Sequence, residues 1–489
     1  MEGSRLATEA GHRQGFRSGA GYAMAVVAAA LTLELASRHL ANDVFWHLAA
    51  GRWMWAHRAV LTRNRFSWDA HGAPWINLEW GWDVLLWGLW QIGPQAAVGA
   101  IVGCIVAFLG GLYRLGRIAG ADPMPAGLLA AAGGFASLEF WDFRPQVLAY
   151  PLAVWWLGGL WRLRPWLDGA AWSRRALGLN LGVLGAVELV WANVHGSWLL
   201  APLWVAVETL FARRRRRGMA LGLGAAAVGF LNPWGAAGVG HAVWMVLSPA
   251  VTGAVSEWGS PNLHQPYLAA VVLGCAVVAP LGALSQGRRP DLRGATYWAG
   301  TVAAALFGVR FLPYLGIGLV GLFGPVRSTF SLGALSRALL AGAAAVLVVW
   351  TGFAMPKGPG GVFGPWVDRG REPEGALAYM VRHHIDQRVF NVLNWGGYLQ
   401  DAGIPDWIDG RLDFWAANGP ALTQYREALS GYRAFPTWVQ RLGARYALVE
   451  RGSTWAEEAR LSGWPVLYRG RLAVLFRVPS PSRRSRPGS

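Results

Sequence analysis

Long apolar runs separated by short polar breaks fill the chain from about residue 19 to residue 353, and a different pattern follows. The first run covers 19–36, and a polar, Trp-rich stretch over 42–91 comes next. Ten further runs lie near 94–113, 124–140, 145–161, 177–192, 197–212, 219–230, 267–284, 295–309, 311–323 and 335–353. A helix needs about 20 apolar residues to cross a bilayer. The pattern therefore predicts about eleven transmembrane helices, several of them short, with 42–91 as a large loop between the first two. A Pro/Gly linker at 356–361 ends the apolar region. Beyond it, Pro373 opens an amphipathic helix over 374–384. Short apolar runs at 389–393, 407–408, 446–449 and 466–478 read as strands, the last broken by a hairpin turn at Arg469-Gly470-Arg471. Helical stretches fall near 420–429 and 436–442. Residues 362–478 thus read as a small α/β domain, and the Ser/Arg/Pro-rich tail 479–489 as disordered.

Composition supports the membrane reading. The 489 residues are 54% hydrophobic and 15% charged, with a mean hydropathy of +0.29; soluble domains carry about a quarter of their residues as charges. Disordered, collagenous and coiled-coil chains need high polarity or a short strict repeat, and neither is present. The 44 Lys+Arg against 27 Asp+Glu give +17, and Lys357 is the single lysine. Arginines cluster at 114–117, 162–175, 213–217, 288–293 and 327–337, after every second run. That is the cytoplasmic bias of membrane proteins rather than a nucleic-acid groove, which would interleave a basic stripe with aromatics. Arg5, Arg13 and Arg17 place the N-terminal segment 1–18 inside. The first run reads as a retained span in preference to a cleaved signal peptide, and an odd number of spans puts the C-terminal domain outside. The expected location is a bacterial cytoplasmic membrane. Cys104 and Cys275 lie in apolar runs and offer no disulfide framework or metal spacing.

On that topology Asp43, His47, Glu79, Arg144, Gln146, Asn193, His195, Asn232, Glu257 and Arg310 all fall on the outer side. Ionisable groups at membrane depth are costly and face a cavity or one another, so one polar, outward-opening cavity is expected. Asp43 and His47, spaced i, i+4, share a helix face; Asp43 reads equally as a general base and as an N-cap. Glu79 sits among tryptophans, as an interfacial charge would. With Asp43, His47, His195 and Glu257 it offers oxygen and imidazole donors suited to Mg or Mn. Asn193, His195 and Asn232 occupy turn sequences. Arg144 and Arg310 run against the charge bias, and guanidinium suits bidentate phosphate recognition; the plain alternative is pairing with an outside carboxylate. In the last domain, Gly396-Gly397 allows a tight turn, and Asp409, Arg411 and Asp413 can pair or face the membrane cavity. No Walker motif, Ser/His/Asp elbow or CxxC array is present.

One span, an acidic residue just beyond it, a long outside loop, further spans and an external α/β domain together resemble the GT-C superfamily of membrane glycosyltransferases over almost the whole chain. The segments Asp43-x-Phe45-Trp46-His47-Leu48, Trp75-x-x-x-Glu79-Trp80, Arg144-Pro145-Gln146, Trp191-Ala192-Asn193-x-His195-Gly196, Asn232-Pro233, Glu257-Trp258, Gly396-Gly397-Tyr398-Leu399 and Asp409-Gly410-Arg411 resemble a family of bacterial polytopic membrane proteins of no established activity. The superfamily resemblance implies sugar transfer from a polyprenyl-phosphate donor on the outer face, with Asp43 deprotonating the acceptor hydroxyl. Asn42-Asp43 stands where the mannosyltransferase-like members carry two acids, and Leu78-Glu79-Trp80 stands where they carry Lys-Pro-Pro. The expected roles are Asp43, Glu79 and His47 in catalysis, and Arg144, Arg310, Asn193, His195 and Glu257 around the donor. Membrane lipid and the lipid-linked sugar are the expected partners, with no nucleic acid. A transporter or flippase of a lipid-linked substrate, or a non-catalytic membrane assembly protein, are the alternatives.

Overall fold

The computed structural model describes residues 42–285, 291–324 and 371–480. The expected spans 19–36 and 335–353, the linker 356–361 and the tail beyond 480 lie outside the described residues. Contacts divide the chain into two compact units. A helical unit holds 92–247, 255–285 and 291–324; a sheet unit holds 42–91, 248–254 and 371–480.

In the helical unit, Pro94–Ile118, Arg174–Ala192 and Pro266–Leu284 are long and apolar enough to cross a membrane. Pro123–Ala136, Gln146–Arg162, Leu200–Phe211, Arg215–Val228, Leu292–Phe307 and Leu315–Phe323 are shorter. Their starts follow local chemistry. Pro occupies the first turn of Pro94–Ile118 and Pro123–Ala136, where its missing N–H has no intrahelical partner to lose. Ser173 and Asp291 accept from Ala176 N at 3.1 Å and Gly294 N at 2.8 Å as N-caps. The helix Ala236–Leu247, whose twelve residues include His241 and two glycines, has no counterpart among the expected spans. Leu179, Leu223 and Leu281 point outward, 71%, 73% and 59% exposed. An apolar outer surface of this kind suits hydrocarbon rather than water. Inside, Gly133 and Gly316 meet back to back, and a Cβ on either would strike the other's backbone, the close approach that small residues allow between membrane helices.

The sheet unit carries a four-stranded sheet in the order β1-β2-β4-β3. β1 (Val389–Asn391) lies parallel to β2 (Tyr446–Glu450), while β4 (Ala473–Arg477) is antiparallel to β2 and to β3 (Val466–Arg469). The β3–β4 hairpin turns at the expected Arg469-Gly470-Arg471, closed by Gly470 N to Ala473 O at 2.9 Å. The parallel pair requires a crossover, supplied by Gly396–Asp401, Leu412–Ala417, Ala421–Leu429 and Phe435–Arg441. Trp407 and Ile408, expected as a strand, form a buried loop. The Asn391 side chain accepts from Trp407 N at 2.7 Å and donates to Ile408 O at 2.7 Å, satisfying that backbone as a ladder would.

The core of this unit is aromatic: Phe390 stacks on Trp407 at 5.0 Å and Phe435 on Trp455 at 5.2 Å. Trp46, Ala50, Met54, Leu61 and Trp75 join the same cluster. The 42–91 stretch therefore shares one hydrophobic core with the sheet, and backbone bonds reinforce this: Trp68 N to Asp406 O at 3.0 Å and Asp406 N to Phe66 O at 3.2 Å.

Candidate functional site

Helix Asn42–His57 carries Asp43 and His47 on one face. His47 is buried, with Nδ1 2.5 Å from Asp83 Oδ1. The other oxygen of Asp83 accepts from Asn77 Nδ2 at 2.6 Å, and Asn77 Oδ1 accepts from Glu79 N at 3.0 Å. That last bond is the turn that feeds helix Trp80–Ile92 and sets Asp83 in its first turn. Asp83 is fully buried and pairs with His47 across 36 positions; no periodicity links the two, so the pairing leaves no trace in the residue pattern. Glu79 Oε2 lies 3.9 Å from His47 Nε2, a Coulombic distance rather than a hydrogen bond.

Burial pushes the Glu79 carboxyl up to about 7, with the Asp413, Asp83 and Asp43 charges adding to it and His47 opposing. Burial alone would lower His47, but the charge and hydrogen bond of Asp83, with Glu79 and Asp43, carry it above its ordinary value. Burial likewise raises Asp83 against the pull of His47, Asn77 and Arg411. Both members of the pair are thus shifted upward, beside a carboxyl pushed up to about 7.

The turn before helix Leu412–Ala417 packs onto this group. Arg411 is buried and grips Asp409 with two bonds, Nε to Oδ1 at 2.8 Å and Nη2 to Oδ2 at 2.6 Å. Its Nη1 donates to Asn64 Oδ1 at 3.1 Å, and its guanidinium lies 4.6 Å from the Trp75 ring centre. Burial would raise Asp409, but Arg411 outweighs it and holds Asp409 below the usual carboxylate range. Burial and the neighbouring Asp409 charge raise Asp406 well above that range. Between Asp409 and Arg411 sits Gly410, where a Cβ would collide with the Asp43 carboxylate. A Cβ on Gly396 would strike the Ile408 carbonyl and Asp409. Both glycines thus serve close backbone approach.

The other expected site residues lie in the helical unit. Arg144 bridges Asp142 Oδ2 at 2.6 Å and Glu257 Oε1 at 2.7 Å, the carboxylate pairing that was the plain alternative for it. The Arg310 guanidinium lies 4.5 Å from the Trp258 ring centre and makes no ion pair among the described residues. His195 Nδ1 accepts from Ser197 N at 3.1 Å, so Ser197 Oγ donates to the same nitrogen at 2.8 Å and the ring proton resides on Nε2. Asn193 donates to Leu189 O and Leu231 O, and Asn232 accepts from Trp234 N, so both close turns. Gln146 begins its helix and is buried.

Asp43, His47 and Glu79 are thus brought together, with Asp83 and Asn77, in one unit, while Arg144, Gln146, Asn193, His195, Asn232, Glu257 and Arg310 belong to the other. Among the described residues no group of three or more His, Cys, Asp or Glu is placed to hold a metal ion. Among the described residues the donors expected for Mg or Mn do not gather into such a group.

No family model matches the sequence, and no curated protein matches it. Solved structures do. The Archaeoglobus fulgidus oligosaccharyltransferase AglB, in complex with an inhibitory peptide and a dolichol-phosphate, is similar with a TM-score of 0.56 at 11% identity, over 87% of this chain and 69% of that one. The same archaeal enzyme tethered to an acceptor peptide also gives 0.56, over 94% and 74%. The mycobacterial arabinofuranosyltransferase AftD gives 0.51 at 15% identity, over 94% of this chain and 40% of that one. At such identities the likeness is one of fold, and the fold is the GT-C-like one expected from the sequence.

Proposed function

We propose, from that fold, that the chain is an integral-membrane glycosyltransferase that moves a sugar from a polyprenyl-phosphate donor to an extracytoplasmic acceptor. The observation that carries this reading is the carboxylate–histidine group of Asp43, His47, Glu79 and Asp83. The acceptor hydroxyl oxygen forms a bond to the anomeric carbon as the bond from that carbon to the phosphate oxygen breaks, and the polyprenyl phosphate departs with the bonding pair. Asp43 takes the hydroxyl proton as general base. Glu79, titrating near neutrality, and His47, fixed by Asp83, set the charge around it. Arg310, stacked on Trp258 and without a carboxylate partner among the described residues, has the guanidinium chemistry that suits a phosphate. Arg144, with Glu257 and Asp142, shapes the polar end of the helices, and His195 presents its Nε2–H.

The test is glycan and glycolipid profiling of cells whose only copy carries Asp43→Asn, at normal protein level. The expected result is loss of one glycan species and accumulation of its unmodified acceptor. An unchanged profile would sink the proposal.

A further inference from the structure

Two of the arginine clusters that are far apart in sequence are built into one surface of the helical unit. Arg214 N donates to Leu167 O at 2.9 Å, Arg213 N donates to Asp168 Oδ1 at 3.2 Å, and Arg217 Nη1 donates to Trp166 O at 2.7 Å while its guanidinium lies 5.0 Å from the Trp166 ring centre. Helices Arg174–Ala192 and Arg215–Val228 pack on each other. Arg174 and Arg175 start the first, and Arg215 and Arg216 the second; these four, with Arg213 and Arg214, are exposed. Asp168, the acid that touches this segment, accepts from Arg213 N and lies 3.8 Å from Arg293. Glu208 is buried and held by Arg164 and Arg293.

We propose that this surface, formed by Arg174, Arg175 and Arg213 to Arg216, is a binding site for the headgroups of anionic phospholipids. An orientation signal needs only a number of charges on one side of the membrane. Here the two segments that carry the charges are also tied together, by a backbone bond from Arg214 to Leu167 and by Arg217 stacked on Trp166. Arg174 begins a helix long and apolar enough to span the bilayer, so the cluster sits at the level of the lipid phosphates by the length of that helix alone. The N-terminal ends of both helices add dipoles of the same sign. A nucleic acid would ask for aromatics interleaved along a basic groove. The partner that charge and depth fit together is a lipid phosphate.

The test uses the full-length chain in nanodiscs of phosphatidylcholine with or without phosphatidylglycerol, and measures the phosphatidylglycerol retained by native mass spectrometry. The parent should retain phosphatidylglycerol over phosphatidylcholine, and salt should erode the preference. Arg213→Gln/Arg215→Gln/Arg216→Gln, at exposed positions, should weaken it by about fivefold for each arginine removed. Arg382→Gln/Arg469→Gln/Arg477→Gln takes the same charge from the sheet unit and should leave it unchanged. Arg174→Gln/Arg175→Gln provides a second variant on the other helix. Equal retention by the parent and both patch variants overturns the proposal, as does equal retention of the two lipids. Binding of a homopolymer RNA through the same arginines, undiminished by phosphatidylglycerol, would also overturn it and assign the surface to nucleic acid.

Discussion

Asp406 and Asp409 stand three positions apart in one buried loop and are pushed in opposite directions. The folded value of Asp406 lies above its unfolded value near 3.9, so between the two the folded chain keeps a proton that the unfolded chain has lost. Stability therefore falls as pH rises through that window. Asp409 works the other way: its contribution is complete above the unfolded value and is lost as pH falls through the folded one. Asp406→Asn keeps shape and neutral charge while abolishing the first effect. Thermal unfolding followed by Trp fluorescence from about pH 5 to pH 9 should show a higher midpoint for the variant on the alkaline side. Parallel curves for variant and parent would contradict the assignment.

Gly410 gives the complementary prediction. A methyl there strikes the Asp43 carboxylate, and a base displaced by about 1 Å costs on the order of a hundredfold in rate. Gly410→Ala should lower sugar transfer by about that factor in a chain that still unfolds cooperatively. Full activity would separate the turn from the site. Asp43, His47 and Glu79 were legible as candidates because tryptophans and an apolar span frame them. Asp83 was not, because its partner lies on another helix and an Asp among tryptophans looks like any interfacial charge. The reason Gly410 must be glycine is visible only once the 406–413 turn is seen against Asp43.

Among the elements, sheet and hairpin were legible because turn chemistry and alternation are local. The β3–β4 turn falls at the glycine between two arginines, and β1 and β2 fall on the apolar runs that predict them. The loop at Trp407-Ile408 was misread because the Asn391 amide replaces a strand partner, and a side chain doing the work of a backbone leaves no periodic trace. Helix contacts in the apolar unit depend on spacing that hydropathy does not encode. Gly133 and Gly316 bring Pro123–Ala136 and Leu315–Phe323 into backbone contact. Gly316→Val should force these helices apart and cost about 1–3 kcal/mol, read as a lower thermal midpoint in detergent. Gly300→Val, at a helical position with open space around it, is the matched control and should change little.

At the scale of the whole molecule, the sheet unit is assembled from pieces of chain that the sequence presents as separate. Trp46, Ala50, Met54, Leu61 and Trp75 belong to its core, and Arg411 reaches Asn64 and Ser67. Composition marks where a soluble-like segment begins after the linker, but core membership is a matter of contact, and nothing in the 42–91 stretch names its partner. A fragment of residues 362–478 produced alone should therefore be expanded and bind hydrophobic dye, for want of these five side chains. Co-production with 42–91 should restore a cooperative transition. A fragment that folds cooperatively by itself would show those contacts to be dispensable.

The divided origin of that unit also sets a schedule. Residues 42–91 leave the ribosome about 280 residues ahead of the segment that covers Trp46 and Trp75. At about 5–20 residues per second they wait roughly 15–60 s before their partner is made. Throughout that interval a Trp-rich surface has no core to enter. The burden of the fold thus falls on translation and on whatever shields the nascent chain, and slowing synthesis after residue 91 should raise proteolytic loss of this protein even where the finished molecule is stable.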